Sequence, residues 1–257
     1  MAKAKLAKKS GGLRSYFQRT NLLTSLILVF PVFLVYEVGV LALPSVHNGA
    51  DLITSELLSL MHGQIAVYIL CNLGLALAFL ITVLVLRRKN SFDPRLFVPI
   101  LFESGIYALS MGSLILFVMQ DVLHVSPQLA MHSALKLLAA SDGAPHPGFL
   151  GRIVLAFGAG VHEELVFRLL MIPALAWIFG RLIGMRPLVA MALAFVISAF
   201  LFSAAHHVIG GEPFRLGAFI YRFLCGLWFA LLYRTRGFAQ AVYTHALYDI
   251  YVLTING

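Results

Sequence analysis

The sequence predicts an all-α fold: a polytopic transmembrane helical bundle of about seven spans, with its N-terminus inside. Three observations carry this. First, the 257-residue chain is 60% hydrophobic and only 12% charged, with mean hydropathy +0.91. An ordinary soluble domain carries about 25% charged residues, so this composition cannot cover a soluble surface. Second, the apolar residues lie in long runs, not in the alternating segments of about ten residues that a membrane barrel needs. A bilayer demands internally satisfied backbone groups, so such runs are helical. Third, the basic residues gather on alternate connections.

Taken in order, residues 1–20 form a basic cytoplasmic tail holding Lys3, Lys5, Lys8, Lys9, Arg14 and Arg19. The apolar run behind it is too long for a signal-peptide core and ends in no A-x-A site, so a cleaved signal is not expected. The spans follow at roughly 21–43, 65–86, 95–119, 149–179, 187–208, 214–233 and 237–255. Each is long enough to cross a hydrocarbon core about 30 Å thick at about 1.5 Å per residue. Two connections are long, 44–64 and 120–148, and a short interfacial amphipathic helix is expected around 126–140.

Orientation comes from the cations. With the N-terminus inside, the inner side holds the six tail residues with Arg87, Arg88, Lys89, Arg95, Arg181, Arg186, Arg234 and Arg236. The outer connections hold only Lys136, Arg152 and Arg215, while Arg168 and Arg222 fall within spans. The formal net charge of +8 is therefore a topology signal and does not imply nucleic-acid binding. Cys71 and Cys225 sit in apolar runs with no CxxC or CxxH, so neither a disulfide framework nor a thiolate zinc site is expected.

Ionisable groups inside spans are costly and point to function. They concentrate in the second half: His162, Glu163, Glu164 and Arg168 in span 4, His206 and His207 at the end of span 5, His245 and Asp249 in span 7. Glu164 and Arg168 are four apart, acid first, the favourable order for an ion pair on one helix face, and are read as structural. Glu163 lies about 100° round the helix, with no cation one turn away, and is expected to meet a group on another span. Ala156 and Gly160 leave that face open to a close helix approach. Phe202 and His206 share a face, as do His245 and Asp249, where a carboxylate can hold an imidazole's tautomer and orientation. Of the rest, His162 is read as a supporting group and His207 as peripheral. Glu37 and Glu103 are read as polar packing contacts, and Arg222 as snorkelling or pairing with an acid.

A carboxylate and an imidazole around one water are the parts of a general-base hydrolysis, and a second imidazole can stabilise an oxyanion. The same Glu163, His206 and His245 can alternatively bind Zn²⁺ with an open water position. HExxH and GxSxG are both absent. Acid and histidine sets also form proton relays, so a proton-coupled transporter is a second class and a non-catalytic membrane scaffold a third. Neither inverted repeats nor paired broken spans support the transporter.

Three ordered motifs carry a family resemblance. Residues 163–168, EELVFR, match EExxxR; residues 202–206, FSAAH, match FxxxH; residues 245–249, HALYD, are similar to HxxxN/D. Together they resemble the CPBP intramembrane proteases, the group of the CAAX-prenyl endopeptidases of the Rce1 type and of bacteriocin-processing or self-immunity proteins. The resemblance covers roughly residues 150–250. It divides the chain into the tail (1–20), N-terminal membrane helices with outer loops (21–145) and a CPBP-like helical core (146–257). It implies that Glu163 and His206 activate the hydrolytic water and that His245 and Asp249 bind the oxyanion or complete the site. Glu164 and Arg168 are then supporting members, with Phe202 walling the site. A glutamate mechanism without cofactor is preferred to one using zinc.

One departure bears on the roles. Rce1-like members usually place asparagine where this chain has Asp249, and an ionised carboxylate cannot donate to an oxyanion. Asp249 is therefore expected to orient His245, which does the donating. The implied substrate is a membrane-associated protein or peptide, and the expected location is a bacterial inner membrane. Averaged over the spans, the site is expected near the midplane and opening outward.

Overall fold

The computed structural model describes residues 20–43, 65–125, 148–208 and 213–255. Among them every regular element is helical. The helices are α1 (Leu22–Ala42), α2 (Ile65–Arg87), α3 (Phe97–Phe117, entered by a 3₁₀ turn and continued as a π turn to Val122), α4 (Phe149–Leu182), α5 (Pro187–Val208), α6 (Leu216–Thr235) and α7 (Phe238–Ile255). The expected interfacial helix at 126–140 and the tail at 1–19 lie outside the described residues.

The all-helical, polytopic reading holds. Among the described residues six helices are long and apolar enough to cross a membrane, against about seven spans expected. The seventh, α7, has 18 residues but carries Gln240, Thr244, His245 and Asp249, which dilute its hydropathy. Its position explains this composition. Residues 238–246 are buried all round, because α7 packs on α4, α3, α6 and α1 at once. A helix surrounded by protein needs no lipid-compatible face. At the other extreme, α2 touches chiefly α1 and exposes Leu70, Leu73, Leu77, Leu80 and Leu84.

Between helices in lipid there is little hydrophobic drive, so close packing of small residues must hold the bundle. The α1–α4 contact is a reciprocal pair of sockets: Tyr36 fills the space at Gly158, and Val154 fills the space at Gly39. A Cβ at Gly158 would stand 2.2 Å from Tyr36 Cε2, so no side chain fits there without displacing the ring. The α4–α7 contact closes on Gly160, where a Cβ would lie 3.0 Å from the Val242 carbonyl oxygen and from Ala246 Cβ.

Two polar devices tie the bundle at the end where α7 begins. Arg236 forks onto Glu103 of α3, Nε to Oε1 at 2.5 Å and Nη2 to Oε2 at 2.9 Å, and Tyr107 donates to the same carboxylate at 2.7 Å. Thr20 N–H donates to the Arg236 carbonyl at 2.7 Å and Gln240 Nε2 donates to the Thr20 hydroxyl at 2.7 Å. Between α6 and α7 the chain turns at Gly237, whose φ of +125° is open only to glycine.

Candidate active site

The helix α4 is regular to Glu164, then takes one more residue per turn over Leu165–Met171 as a π segment. Such bulges displace a backbone carbonyl from its ladder and recur at functional sites. Here Ser198 of α5 donates its hydroxyl to the Phe167 carbonyl at 2.6 Å, which satisfies that group and clamps α5 to the bulge.

Glu164 and Arg168 form the ion pair expected from their spacing, at 3.0 Å and with both side chains 0% exposed. The guanidinium lies 4.3 Å from the centre of the Phe202 ring and 5.3 Å from that of Phe229. Its Nη2 donates to the Gly226 carbonyl of α6 at 3.4 Å. A buried arginine is stable only when matched in this way, by a carboxylate, a carbonyl and aromatic faces.

His245 of α7 is the hub. Its ring stacks on Phe229 of α6, with centroids 4.5 Å apart and 14° between planes. Its Nδ1 is 2.9 Å from Glu164 Oε1. A carboxylate only accepts, so Nδ1 carries a proton. Its Nε2 faces two further carboxylates, Asp249 Oδ2 at 3.5 Å and Glu163 Oε2 at 3.9 Å. The group that Glu163 meets on another span is thus His245. The hydrogen bond that fixes the ring's orientation comes from Glu164, which the spacing had assigned only to Arg168, while Asp249 stands at the opposite nitrogen.

His206 reaches the same cavity from the end of α5. Its Nδ1 is 2.9 Å from its own helix's Phe202 carbonyl, which can only accept, so the neutral ring keeps a lone pair on Nε2. The Phe202 ring stands between the two imidazoles, 5.1 Å from His206 and 6.0 Å from His245. Glu163, Glu164 and His245 are buried, and the Asp249 side chain, 28% exposed, is the most accessible of the carboxylates. Asp249 is therefore the accessible edge of the site.

Other ionisable groups fall elsewhere. His162 points away from the site toward α1, 3.8 Å from Glu37 and edge-on to Tyr36. His207 packs on Phe214 and Phe219. The sequence reading missed Phe229 and Gly226, whose contributions are a ring face and a carbonyl. The available signal was the α6 stripe Ala218, Arg222, Cys225, Gly226, Phe229, where small and polar residues recur at helical spacing. On metal binding, no group of three or more His, Cys, Asp and Glu side chains among the described residues is arranged to hold an ion. Glu163, His206 and His245 do not form such a set.

Two imidazoles, three carboxylates and an arginine thus gather on converging helices. Residues 145–251, which contain all three motifs, match the family described as Rce1-like, the type II CAAX prenyl endopeptidases. The matched segment is the one that carries the three motifs. Among curated proteins the chain is similar to the sporulation-killing factor biosynthesis protein SkfC of Bacillus subtilis (strain 168), 23% identical over 151 residues. The alignment covers 57% of this chain and 26% of that protein, so the chain spans about a quarter of its relative's length. No solved structure matches.

Proposed function

We propose that the protein is an intramembrane endopeptidase that hydrolyses a peptide bond in a membrane-associated or lipidated protein substrate. The observation that carries the reading is the meeting of Glu163 and His245 Nε2, 3.9 Å apart across two helices, inside the segment that matches a peptidase family. In this reading a water enters between Glu163 and His206. Glu163 takes its proton, with His206 Nε2 accepting a hydrogen bond from the same water, and the oxygen adds to the scissile carbonyl. The oxyanion accepts a hydrogen bond from Nε2–H of His245 in its doubly protonated form, which the surrounding carboxylates favour, and whose ring is already fixed by Glu164 and Phe229. Collapse returns the proton from Glu163 to the leaving amine nitrogen, so atoms and charge balance. Asp249 acts on His245 and not on the oxyanion, since as a carboxylate it has no proton to give. In this reading no step runs through a metal.

Charge asymmetry supports an N-terminus in the cytoplasm, and a bacterial inner membrane is the proposed location. The cavity then opens toward the outer half of the bilayer, which suits membrane-anchored or exported substrates.

The test is substrate-blind. Membranes from a host expressing the wild type or Glu163→Ala are compared by mass spectrometry of protein termini. New termini are expected only with the wild type, since losing a general base costs about 10²- to 10⁴-fold. Identical termini in both would refute the peptidase reading. Loss of cleavage on adding a chelator, restored by zinc, would refute the metal-free mechanism.

A further inference from the structure

The site holds three carboxylates, Glu163, Glu164 and Asp249, around one imidazole. Glu164 is matched by Arg168. Glu163 and Asp249 both face the Nε2 side of His245. In a medium of low dielectric, carboxylates gathered in this way favour a cation nearby.

The helix α6 supplies the candidate. Its stripe enters the site with Phe229 stacked on His245 and with the Gly226 carbonyl on Arg168. Arg222 lies one turn beyond Gly226 on the same stripe. Asp249 lies one turn beyond His245 on the facing helix. The register is fixed independently: the hydroxyls of Tyr221 and Tyr248, the residues just before each, touch. Tyr248 is in turn seated against Gly112 of α3, where a Cβ would lie 3.3 Å from its ring. Arg222 and Asp249 are therefore held at one level of the α6–α7 contact. Arg222 is near enough to act electrostatically on both Asp249 and His206.

We propose that Arg222 is a positioning residue of this site. Its guanidinium balances the charge of Asp249 at the mouth of the cavity, so that an aspartate can stand beside His245 Nε2. The acid on α7 thus comes with a base on the facing helix. Arg222 acts through Asp249 on His245 and does not touch the reacting atoms. The catalytic consequence rests on the peptidase reading above, whereas the pairing itself does not.

The experiment has two arms on the full chain. In the first, the protein labelled with ¹⁵N-histidine is studied in micelles by NMR, with the His245 ring signals identified by their loss in His245→Gln. Arg222→Met is expected to shift both His245 ring nitrogens, Arg222→Lys to leave them near their wild-type positions, and Arg222→Met added to Asp249→Asn to leave them near their positions in Asp249→Asn alone. In the second, the cleavage found by terminus mapping is followed as kcat. Arg222→Met is expected to lose about tenfold, within the range of coupling between contacting groups, and the double variant to recover to about the level of Asp249→Asn alone. Unshifted His245 signals in Arg222→Met, or a double variant whose losses simply multiply, would overturn the proposal. If Arg222→Met does not fold, Arg222→Lys and the charge-neutral double variant still decide it: a double variant that also fails to fold refutes compensation. If the wild type cleaves nothing, the peptidase reading fails while the NMR arm still decides the pairing.

Discussion

Replacing Gly160 by alanine adds one methyl group between the two helices that carry the site. That methyl would stand 3.0 Å from the Val242 carbonyl oxygen, 3.0 Å from Ala246 Cβ and 3.1 Å from Ala246 N, where ordinary contact begins at 3.4 Å. Two of these neighbours are backbone atoms of α7, so no side-chain rotation relieves the crowding, and the helices must part by a few tenths of an ångström. Overpacking of this kind costs about 1–3 kcal/mol. It outweighs the gain of roughly 1 kcal/mol that alanine otherwise brings to a helix interior. The displacement falls one turn from the 2.9 Å bond between Glu164 and His245. Opening that bond by a few tenths takes it past about 3.2 Å, the edge of the N–H···O range. Since misplacement by ~1 Å can cost about 10²-fold, the expected loss in kcat is about three- to tenfold. The control is Gly105→Ala on α3, where a Cβ meets nothing within 4 Å and only the helix-propensity gain should remain. Thermal unfolding in detergent should show Tm falling for Gly160→Ala and holding or rising for Gly105→Ala, with cleavage measured alongside. A Gly160→Ala protein as stable and active as the control would refute the claim that α4 and α7 meet here without slack.

Other residues make separate predictions. Glu164→Ala leaves Arg168 buried without its carboxylate and should destabilise by about 3–5 kcal/mol, read by thermal unfolding, whereas Glu164→Gln should cost less. Ser198→Ala orphans the Phe167 carbonyl at the π segment and should cost about 1–3 kcal/mol in the same measurement. Phe202→Leu removes the ring 4.3 Å from the Arg168 guanidinium, which should cost ~1–2 kcal/mol and lower turnover by loosening both imidazoles. Arg236→Lys keeps the charge but loses the fork on Glu103, so it should lower Tm nearly as far as Arg236→Ala if the paired bonds matter more than the charge.

Charge and periodicity along the chain were enough to read the bundle. Because lipid forbids exposed backbone polar groups, a run of apolar residues has one stable conformation and its ends lie where the charges begin. The span expected at 187–208 is α5 to the residue, and the other described spans end within a few residues of their helices. The Glu164–Arg168 pair was legible for the same reason, since helical spacing alone brings the two side chains together. What spacing could not supply is which face meets which helix. That Glu164 also holds His245 follows from the contact of α4 with α7, which Gly160 and Ala246 permit and no local rule specifies. The weak hydropathy of α7 likewise makes sense only once the helix is seen to be enclosed by protein. The partners that finish the hub, the Phe229 ring and the Gly226 carbonyl, come from α6. A carbonyl or an aromatic face becomes a functional group only when packing aims it, and that is decided by the tertiary structure.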